Sequence, residues 1–417
     1  MPKTNSICFS DQIGKSQSRD MESGTIWRKW DLHIHSPCSF HHEFRLNKSV
    51  PEENYQEAIW DEYIKYLEEV QDISVIGITD YFSIDGYKKV LDYRSRGFLK
   101  NFDALLPNIE FRLDIFVDGK RLNYHVIFSD EVPVEKIEKE FLETLTIKTK
   151  SGYDRHLTRE NLEELGREVK NHQPEFQTKS DYEVGCINAT VSVEQIINNL
   201  RSRGPLFEGK YLLVLVDEDW NRINWKGQGH VLKSILFGGV HAIFSSSEKT
   251  REFALGKMHT SLDKYIEEFG NPKACLHGSD THSFENFCIP SNNKYCWIKA
   301  DPNFDGLKQI VYEPEERVRI QLENPEYRKN IFSLKSVTIK NCEISPDLSF
   351  YEQKIPLNSN LIAITGGKGS GKTALVDFIA NCYENRCKSG GKDKNSRTSK
   401  NLTPSKVLYS HGSTFFS

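Results

Sequence analysis

The stretch DLHIHS, residues 31–36, places two histidines at alternate positions of a short and largely apolar segment. In a β-strand the side chains at positions i and i+2 share one face, so His33 and His35 are expected to point the same way. Two imidazoles on one face of a strand end can hold a metal ion. The alternative is that both histidines are incidental and that one of them caps a turn. The pattern by itself leaves both interpretations open.

Further acids and imidazoles lie in or directly after other short apolar runs, which have the length and β-branched composition of buried strands. In barrel-like α/β folds the functional side chains collect at the carboxyl ends of the strands. Imidazole and carboxylate together suit zinc, manganese or iron. The residues that the sequence places in this way are Asp80, Glu110, His125, Asp280 and His282.

Short apolar runs alternate along the chain with charged stretches of helical spacing, such as 55–70. This alternation predicts an α/β fold with a largely parallel sheet. The polar stretch from about 146 to 190 is expected to be an insertion over that framework. A Pro- and Glu-rich segment before residue 329 and a new apolar pattern after it predict a domain boundary. The predicted organisation is a flexible leader at 1–23, a first domain at 24–328 and a second domain at 329–417.

The composition excludes several classes of protein. The chain has 417 residues and a net charge of −4, from 55 basic and 59 acidic side chains, which is normal for a globular protein. No apolar run approaches the roughly 18 residues that a membrane span needs, and residues 1–23 lack an apolar signal segment. The nine cysteines are an odd number without a CxxC pair, so a disulfide framework is not expected. These features predict a cytoplasmic protein with reduced thiols and no membrane partner.

A glycine-rich loop follows the apolar run 360–365, which is expected to be a short buried strand, and precedes the helical run 374–380. The spacing G-x-x-x-x-G-K-T in a strand–loop–helix setting predicts a P-loop that binds ATP with Mg²⁺. Lys372 would reach the β- and γ-phosphates, and the Thr373 hydroxyl would hold the magnesium ion. The alternative is a glycine-rich turn that binds no nucleotide. The loop consists of Gly366, Gly367, Lys368, Gly369, Ser370, Gly371, Lys372 and Thr373.

The sequence after the loop shows no apolar strand ending in Asp-Glu, and therefore no visible Walker B acid. ATPase activity is not predicted for this chain alone, and we expect either a truncated chain or a second polypeptide that completes the domain. The stretch 381–406 is rich in Gly, Ser, Asn and Lys and is expected to be a mobile loop. Its basic part, 386–406, can contact a nucleic-acid backbone. The alternative is a solvated loop without a ligand.

The ordered set DLHIHS, GITDY, PNIE, YHVIF and GSDTHS resembles the PHP (polymerase and histidinol phosphatase) superfamily over about residues 24–320. Within it, GTIWRKWDLHIHSPCS at 24–39 and WIKADPNFDGLKQIVYEPEER at 297–317 look like the TrlF-type branch, in which a PHP domain precedes an SMC-like ATPase. The segment from 333 through the P-loop resembles the N-terminal half of an ABC/SMC-like ATPase head. The resemblance implies a distorted β/α barrel of PHP type followed by a partial P-loop ATPase domain.

Carried over to this sequence, the family pattern makes four residues ligands of one divalent ion: His33, His35, Glu110 and Asp280. The same pattern gives His33 and His35 a central part in catalysis. Glu110 would also bridge to a second ion that is held by His125. The implied cofactors are one to three ions of Mn²⁺, Zn²⁺ or Fe²⁺.

A third site of the family pattern would use His41 and His282. The family's Thr-Asp-His is Thr-Asp-Tyr at 79–81 here, which removes one imidazole from that site. Where the family often carries a His-Pro after a later strand, this sequence has Asp217, which is expected to substitute as an oxygen ligand of the second ion. Asp80 is expected either to orient a ligand histidine or to cap a strand end. Because of these departures from the family pattern, we expect a site with one or two metal ions rather than a full site with three.

The resemblance implies a metal-dependent phosphodiesterase, a nuclease in particular, that is coupled to an SMC-like ATPase and serves bacterial defence against phage or foreign DNA. The implied partners are nucleic acid, with DNA favoured over RNA, the remainder of the ATPase head or a second polypeptide, and a second copy of the chain. One alternative is a phosphomonoesterase that acts on a small molecule or nucleotide with the same metals. Another is a non-catalytic sensor or assembly module with a degraded metal site.

Overall fold

The computed structural model divides into two compact units. The larger is Trp27–Pro325, and the smaller comprises the described residues of Met1–Ile26 and Glu326–Ser417. No helix in the described part of the chain is long and apolar enough to cross a bilayer. The residues that the structure describes are 24–47, 49–117, 119–148, 152–223, 229–327, 334–339, 342–345, 348–350, 352–358, 361–373, 375–376, 379, 407–411 and 414–415. The predicted leader at 1–23 and the loop at 381–406 lie outside them.

The larger unit is built on one nine-stranded sheet. Its strands are β1 (Trp27–His35), β2 (Ile73–Tyr81), β3 (Ala104–Val117), β4 (Lys120–Phe128), β7 (Tyr211–Val216), β8 (Ala242–Phe244), β9 (Ala274–Leu276), β10 (Tyr295–Lys299) and β11 (Val318–Gln321). Their spatial order is β11-β10-β1-β2-β3-β4-β7-β8-β9. Two short strands, β5 (Thr146–Lys148) and β6 (Asp154–His156), form a separate hairpin.

The two edges of this sheet approach each other, which makes it a nearly closed barrel. Edge strand β11 contacts edge strand β9. The chain after β9 then returns to β1, where the Asp280 N–H donates to the His33 carbonyl and the His35 N–H donates to the Thr281 carbonyl, each at 3.0 Å. The predicted α/β barrel is therefore confirmed.

The strand directions are mixed, so the expectation of a largely parallel sheet is wrong. Four pairings are parallel, those of β1 with β2, β2 with β3, β7 with β8 and β8 with β9. Four are antiparallel, those of β3 with β4, β4 with β7, β1 with β10 and β10 with β11. Only two residues, 118 and 119, connect β3 to β4, and so short a connection can join only antiparallel neighbours.

Helices cover the outer face of the barrel and pack on a continuous apolar cluster. Several of them begin at a Ser, Thr or Asn whose side chain accepts a backbone N–H, among them Thr158, Ser192 and Asn303. The helices are α1 (Glu52–Glu69), α2 (Asp85–Ser95), α3 (Val134–Glu140), α4 (Arg159–Lys170), α5 (Asp181–Asn188), α6 (Val193–Ser202), α7 (Gly204–Phe207), α8 (Asp217–Asn221), α9 (Gly229–Gly238), α10 (Glu248–Ala254), α11 (Leu262–Phe269), α12 (Phe304–Tyr312) and α13 (Pro314–Arg317), with short 3₁₀ turns at Leu142–Thr144, Pro174–Phe176 and Ser291–Asn293.

The barrel interior has an apolar layer below a polar layer. Helix α12 packs against the apolar layer. The strand residues of that layer include Trp30, Leu32, Val75, Leu106, Ile127, Val214, Phe244 and Leu276. The polar layer above it is where the candidate site lies.

An irregularity in β1 decides which of its side chains enter the polar layer. Asp31 pairs with Ile76 and Ile34 pairs with Ile78, so three steps on β1 match two steps on β2. Such an extra residue is a bulge, and it exchanges the two faces of a strand. Leu32 accordingly belongs to the inner cluster while Ile34 belongs to the outer one.

The smaller unit contains a four-stranded sheet of order β15-β12-β16-β17 and a hairpin of β13 with β14. The expectation of a buried strand at 360–365 is wrong for the described part of that run, because 361–365 is not in a strand. Leu361, Ile362 and Ile364 are 86%, 46% and 37% exposed, since no strand among the described residues pairs with them. The strands are β12 (Ser336–Ile339), β13 (Cys342–Ser345), β14 (Leu348–Phe350), β15 (Gln353–Pro356), β16 (Val407–His411) and β17 (Thr414–Phe415).

Candidate metal centre

Two groups of side chains in the polar layer of the barrel have the composition and spacing of metal ligands. The first is His33, His35 and Glu110, and the second is His35, Asp280 and His282; within each group the ligand atoms lie within 4.8 Å of one another. They come from the end of β1, from β3 and from the loop after β9. His35 belongs to both groups, so the two are contiguous.

In the first group, nitrogen and oxygen atoms point at a common centre. The Nε2 atoms of His33 and His35 are 3.1 Å apart, and Glu110 Oε2 lies 3.4 Å from each of them. Asp280 Oδ1 approaches the same two nitrogens at 3.3 and 3.5 Å. Glu110 Oε2 is buried and makes no hydrogen bond to any described residue. Converging lone pairs of this kind fit a cation at their centre.

His125 extends the first group along β4. Its Nε2 atom lies 3.9 Å from Glu110 Oε1 and, like Glu110 Oε2, is buried without a hydrogen bond in the described structure. Its ring centroid is 4.6 Å from that of His33. Glu110 thus presents one oxygen to the His33 and His35 pair and the other to His125.

In the second group, Asp280 Oδ1 lies 3.2 Å from His282 Nε2, and the His282 ring stacks on the His35 ring with centroids 3.9 Å apart. The Nδ1 of His282 donates to the backbone carbonyl of His41 at 2.8 Å. His41 itself is exposed, with its ring 4.9 Å from that of His282, and it belongs to neither group. The structure therefore places His41 beside the cluster, on the solvent side.

His35 and His125 are each held by a hydrogen bond at the ring nitrogen that faces away from the cluster. His125 Nδ1 donates to Asn108 Oδ1 at 3.2 Å, and His35 Nδ1 lies 3.2 Å from Ser39 Oγ. With Nδ1 engaged in this way, the Nε2 atom of each of the two rings faces the cluster, which is the usual arrangement of histidine ligands at metal sites. Asn108 did not emerge from the sequence as a site residue, although it is two positions before Glu110 on the same face of β3.

The electrostatics of the cluster favour a bound cation. Burial lowers the pKa of His125 to about 3, so this imidazole is neutral. Burial acts to raise the pKa of Glu110, but the neighbouring imidazoles outweigh it and hold this pKa well below its usual range. Burial acts to lower the pKa of His33, yet Asp280 and Glu110 outweigh it and raise this pKa to about 9. The carboxylates therefore remain ionised and stabilise positive charge at the centre.

Asp31 and Gly278 hold the β1 end against the loop after β9. Asp31 Oδ1 accepts the backbone N–H of Ser279 at 3.0 Å and of His33 at 3.3 Å. A Cβ atom on Gly278 would lie 2.6 Å from His33 Cβ, so only glycine fits here. Neither residue emerged as a site residue from the sequence, because each acts through a contact between distant segments.

Asp80 is engaged away from the histidines. Its Oδ1 accepts the Ser36 hydroxyl at 2.7 Å and its Oδ2 accepts the Gly86 N–H at 2.8 Å, at the start of α2. Of the two roles expected for Asp80, this geometry matches the cap at a strand end. It does not match the orientation of a ligand histidine, because neither oxygen of Asp80 bonds to a histidine in the described structure. Burial raises the pKa of Asp80 to about 7, against the effect of these hydrogen bonds.

Asp217 lies outside both ligand groups. Its carboxylate accepts hydrogen bonds from Ser245 Oγ at 2.6 Å, from Thr250 Oγ1 at 2.9 Å and from the Asn221 amide. Both oxygens are therefore engaged, and they join the start of α8 to the chain after β8 and to α10. The expectation that Asp217 is an oxygen ligand finds no support in this arrangement.

The glycine-rich loop of the smaller unit is described from Gly366 to Thr373. Gly366, Gly369 and Gly371 have positive φ angles, which glycine adopts readily. The Lys372 ammonium folds back over the loop and donates to the carbonyls of Gly366 and Gly367, each at 2.7 Å. The loop thus gathers a cation and backbone groups in one small, exposed turn.

A family model described as an AAA domain matches residues 336–413. Comparison with curated proteins found no match. Among solved structures, a protein reported as a metal-dependent phosphoesterase from Bifidobacterium adolescentis is 14% identical, with a TM-score of 0.29, over 61% of this chain and 88% of that chain. An amidohydrolase from Chromobacterium violaceum, with bound sulfate and no metal, is 13% identical, with a TM-score of 0.34, over 70% of this chain and 98% of that chain.

Proposed function

We propose that the larger unit is a metal-dependent phosphodiesterase that acts on nucleic acid. The observation that carries the proposal is the convergence of two imidazole nitrogens and two carboxylate oxygens. The Nε2 atoms of His33 and His35 lie 3.1 Å apart, and each of them lies 3.3–3.5 Å from Glu110 Oε2 and from Asp280 Oδ1. Nitrogen and carboxylate donors in this number suit zinc, manganese or iron. Phosphate esters suit such a site because their negative oxygens bind metals directly.

The ligand geometry supports one ion directly and offers places for more. His33, His35, Glu110 and Asp280 would hold the first ion. His125 would hold a second together with Glu110 Oε1. A bound divalent ion supplies a Lewis acid for the phosphate and lowers the pKa of bound water. His282 lies next to the first ion's ligands and is available for a third.

The protein groups around the ligands set the direction from which a substrate approaches. The Phe244 ring lies 5.2 Å from the His33 ring and 4.9 Å from the His125 ring and forms the apolar floor. The Asp280 side chain, in contrast, is 60% exposed. A phosphate therefore reaches the cluster from the Asp280 side, while the floor excludes water from below.

We also propose that the C-terminal unit binds ATP with Mg²⁺ through the glycine-rich loop, with Lys372 and Thr373 in contact with the nucleotide. The AAA family match over 336–413, which includes this loop, supports the proposal. An ATPase domain next to a phosphodiesterase favours DNA over RNA as substrate and a TrlF-type role in defence against foreign DNA. The remainder of the ATPase domain, a second polypeptide or a second copy of the chain would complete this unit.

The double variant His33→Ala/His35→Ala tests the metal centre. The chelator-treated protein would be reloaded with Mn²⁺ or Zn²⁺, and its metal content would be measured together with hydrolysis of bis(p-nitrophenyl) phosphate, p-nitrophenyl phosphate and DNA. The wild type should bind at least one equivalent of metal and cleave the diesters. The double variant should lose both properties and stay folded. The exposed pair His156→Ala/His172→Ala is the matched control and should keep both.

Unchanged hydrolysis in the double variant at His33 and His35 would reject the metal assignment. Hydrolysis of the monoester without any cleavage of diesters or DNA would favour the phosphomonoesterase. Less than one equivalent of metal together with no hydrolysis of any ester would favour the non-catalytic sensor.

A further inference from the structure

A cavity of about 570 Å³ lies along the hairpin of β3 and β4, and its lining includes Arg112, two residues after Glu110 on β3. We call it the hairpin cavity. Four of its lining side chains are basic. They are Arg112, Lys120, Arg121 and Arg222, and Phe116 and Asn123 also line the cavity.

The hairpin cavity continues the strand face that carries the ligands. Glu110 pairs with His125 across the hairpin, and the next pair on the same face is Arg112 with Asn123. Arg121 precedes Asn123 by two residues on β4 and therefore shares this face. Because a strand advances by roughly 7 Å per two residues, Arg112 on β3, and Asn123 and then Arg121 on β4, lie one and two such steps from the Glu110–His125 pair. On β3 the pairing is irregular between Arg112 and Phe116, and Phe116 pairs with Arg121.

Arg112 lies between the hairpin cavity and the metal centre. Its guanidinium lies 5.3 Å from the Tyr81 ring, and that ring stacks on the His35 ring at 5.1 Å. Its Nη1 atom donates to the Ile187 carbonyl at 3.3 Å, which holds the side chain in place. A ligand that occupies the hairpin cavity is therefore adjacent to a ligand at the metal centre.

Three of the basic side chains that line the hairpin cavity are not paired with an acid in the described part of the chain. Among the described residues, no carboxylate forms an ion pair with Arg112, Lys120 or Arg121. The Arg121 guanidinium lies 5.0 Å from the Phe116 ring, and this ring is 62% exposed. Cationic groups beside an open aromatic ring are the features with which proteins bind single-stranded nucleic acid, through phosphate contacts and base stacking.

We infer that the hairpin cavity binds a single-stranded nucleic acid next to the phosphate at the metal centre. Arg112 and Arg121 contact successive phosphates, and Phe116 stacks with a base. The inference rests on the proposed function and deepens it, because a small phosphate monoester would fill the metal centre alone and leave these groups unused. A strand of several nucleotides is the substrate class that uses both places.

The test measures binding of a short fluorescein-labelled oligothymidylate to the full chain by fluorescence anisotropy, in chelator and over a range of salt concentrations. Arg121→Gln and Phe116→Ala should each weaken binding about tenfold. Arg121→Gln should also reduce the slope of log K against log salt by about 0.7, the value for one phosphate contact on a single strand. Arg96→Gln is the matched control and should leave binding unchanged, because Arg96 lies directly after α2 and pairs with Asp92. A uridylate of the same length shows whether RNA is bound equally.

A kinetic comparison separates this inference from the proposed function. With metal restored, Arg121→Gln should lower the ratio of kcat/KM for the oligonucleotide to kcat/KM for bis(p-nitrophenyl) phosphate about tenfold. Oligonucleotide binding that is insensitive to both substitutions, or equally weakened by Arg96→Gln, would overturn the inference even if the small diester is hydrolysed. Binding that depends on Arg121 and Phe116 without hydrolysis of any ester would support the hairpin cavity and reject the phosphodiesterase.

Discussion

The Nδ1 atom of His125 donates a hydrogen bond to Oδ1 of Asn108, at 3.2 Å, at the centre of the barrel. The amide nitrogen of Asn108 in turn donates to the Leu32 carbonyl at 2.8 Å and to Thr79 Oγ1 at 3.0 Å. One buried amide thereby ties β1, β2 and β4 together and fixes which nitrogen of His125 faces Glu110. The position of a proton on one imidazole is thus set by the packing of three strands.

Substitution of Asn108 by Leu should lower metal affinity about 10- to 100-fold, because His125 loses the acceptor that fixes its tautomer. The variant should also lose roughly 1–3 kcal/mol of stability, since the Leu32 carbonyl is left without its donor. Calorimetric titration with Zn²⁺ and thermal unfolding measure the two effects.

Asn101→Leu is the control for the Asn108 substitution. The Asn101 amide donates to the carbonyls of Leu67 and Val70 at the end of α1, away from the cluster. The Asn101→Leu substitution should lower the stability by about as much as Asn108→Leu does, and it should leave the zinc affinity unchanged. Equal zinc affinities of both variants would show that Asn108 has only a structural role.

Gly278→Ala should displace His33 from the cluster. The added methyl group would lie 2.6 Å from His33 Cβ and 2.9 Å from Asp31 Oδ1, closer than carbon and oxygen atoms can approach. We expect at least a tenfold loss of hydrolysis and of metal affinity, since a shift of about 1 Å in a ligand is enough for a large loss. Gly238→Ala, where the nearest atom would be 3.6 Å away, should be silent in the same assays. Full activity of Gly278→Ala would show that the β1 end can adjust.

The stability of the larger unit should depend on the ionisation of Asp80. Its pKa rises from 3.8 to about 7 on burial, so the protonated carboxyl is favoured by folding. This contribution is complete below the ordinary pKa and is lost as pH rises towards 7, with a slope of at most about 1.4 kcal/mol per pH unit. Asp80→Asn cannot ionise, and its amide can still bond Ser36 and Gly86.

The measurement for Asp80 is the free energy of unfolding of the wild type and of Asp80→Asn between pH 5 and pH 8. The difference between the two proteins cancels the titration of all other groups. The variant should gain stability relative to the wild type as pH rises from 5 to about 7, and the difference should level off above that pH. A difference that is independent of pH would show that Asp80 is ionised throughout the range.

Local sequence pattern was sufficient to select the side chains that the structure gathers in the polar layer. They are His33, His35, Glu110, His125, Asp280 and His282. Each lies in or directly after an apolar run. The alternation of side chains along a strand and the position of the strand end could therefore be predicted from the local sequence alone. The α/β class followed from the same alternation of runs.

The contacts between distant segments could not be read from local pattern. The bulge between Asp31 and Ile34 depends on how β1 pairs with β2, and it is this irregularity that turns His33 and His35 towards the interior while Leu32 also faces inward. The roles of Asn108 and Gly278 arise from contacts across the barrel. Asp80 and Asp217 were candidates by position, but nearby hydroxyl and amide donors already occupy their oxygens.

Substitution of Lys372 by Ala should abolish nucleotide binding by the glycine-rich loop and spare ester hydrolysis at the metal centre. The Lys372 ammonium already donates to the carbonyls of Gly366 and Gly367, so a nucleotide's phosphates would replace these two acceptors and gain the same charge. Lys368 lies in the same loop, is exposed and makes no hydrogen bond to the described residues, so Lys368→Ala is a control of equal charge. Titration with a fluorescent ATP analogue and Mg²⁺ measures the difference. Equal weakening by the two substitutions would mean that the loop attracts nucleotide by net charge alone, because only Lys372 occupies the position that a P-loop requires.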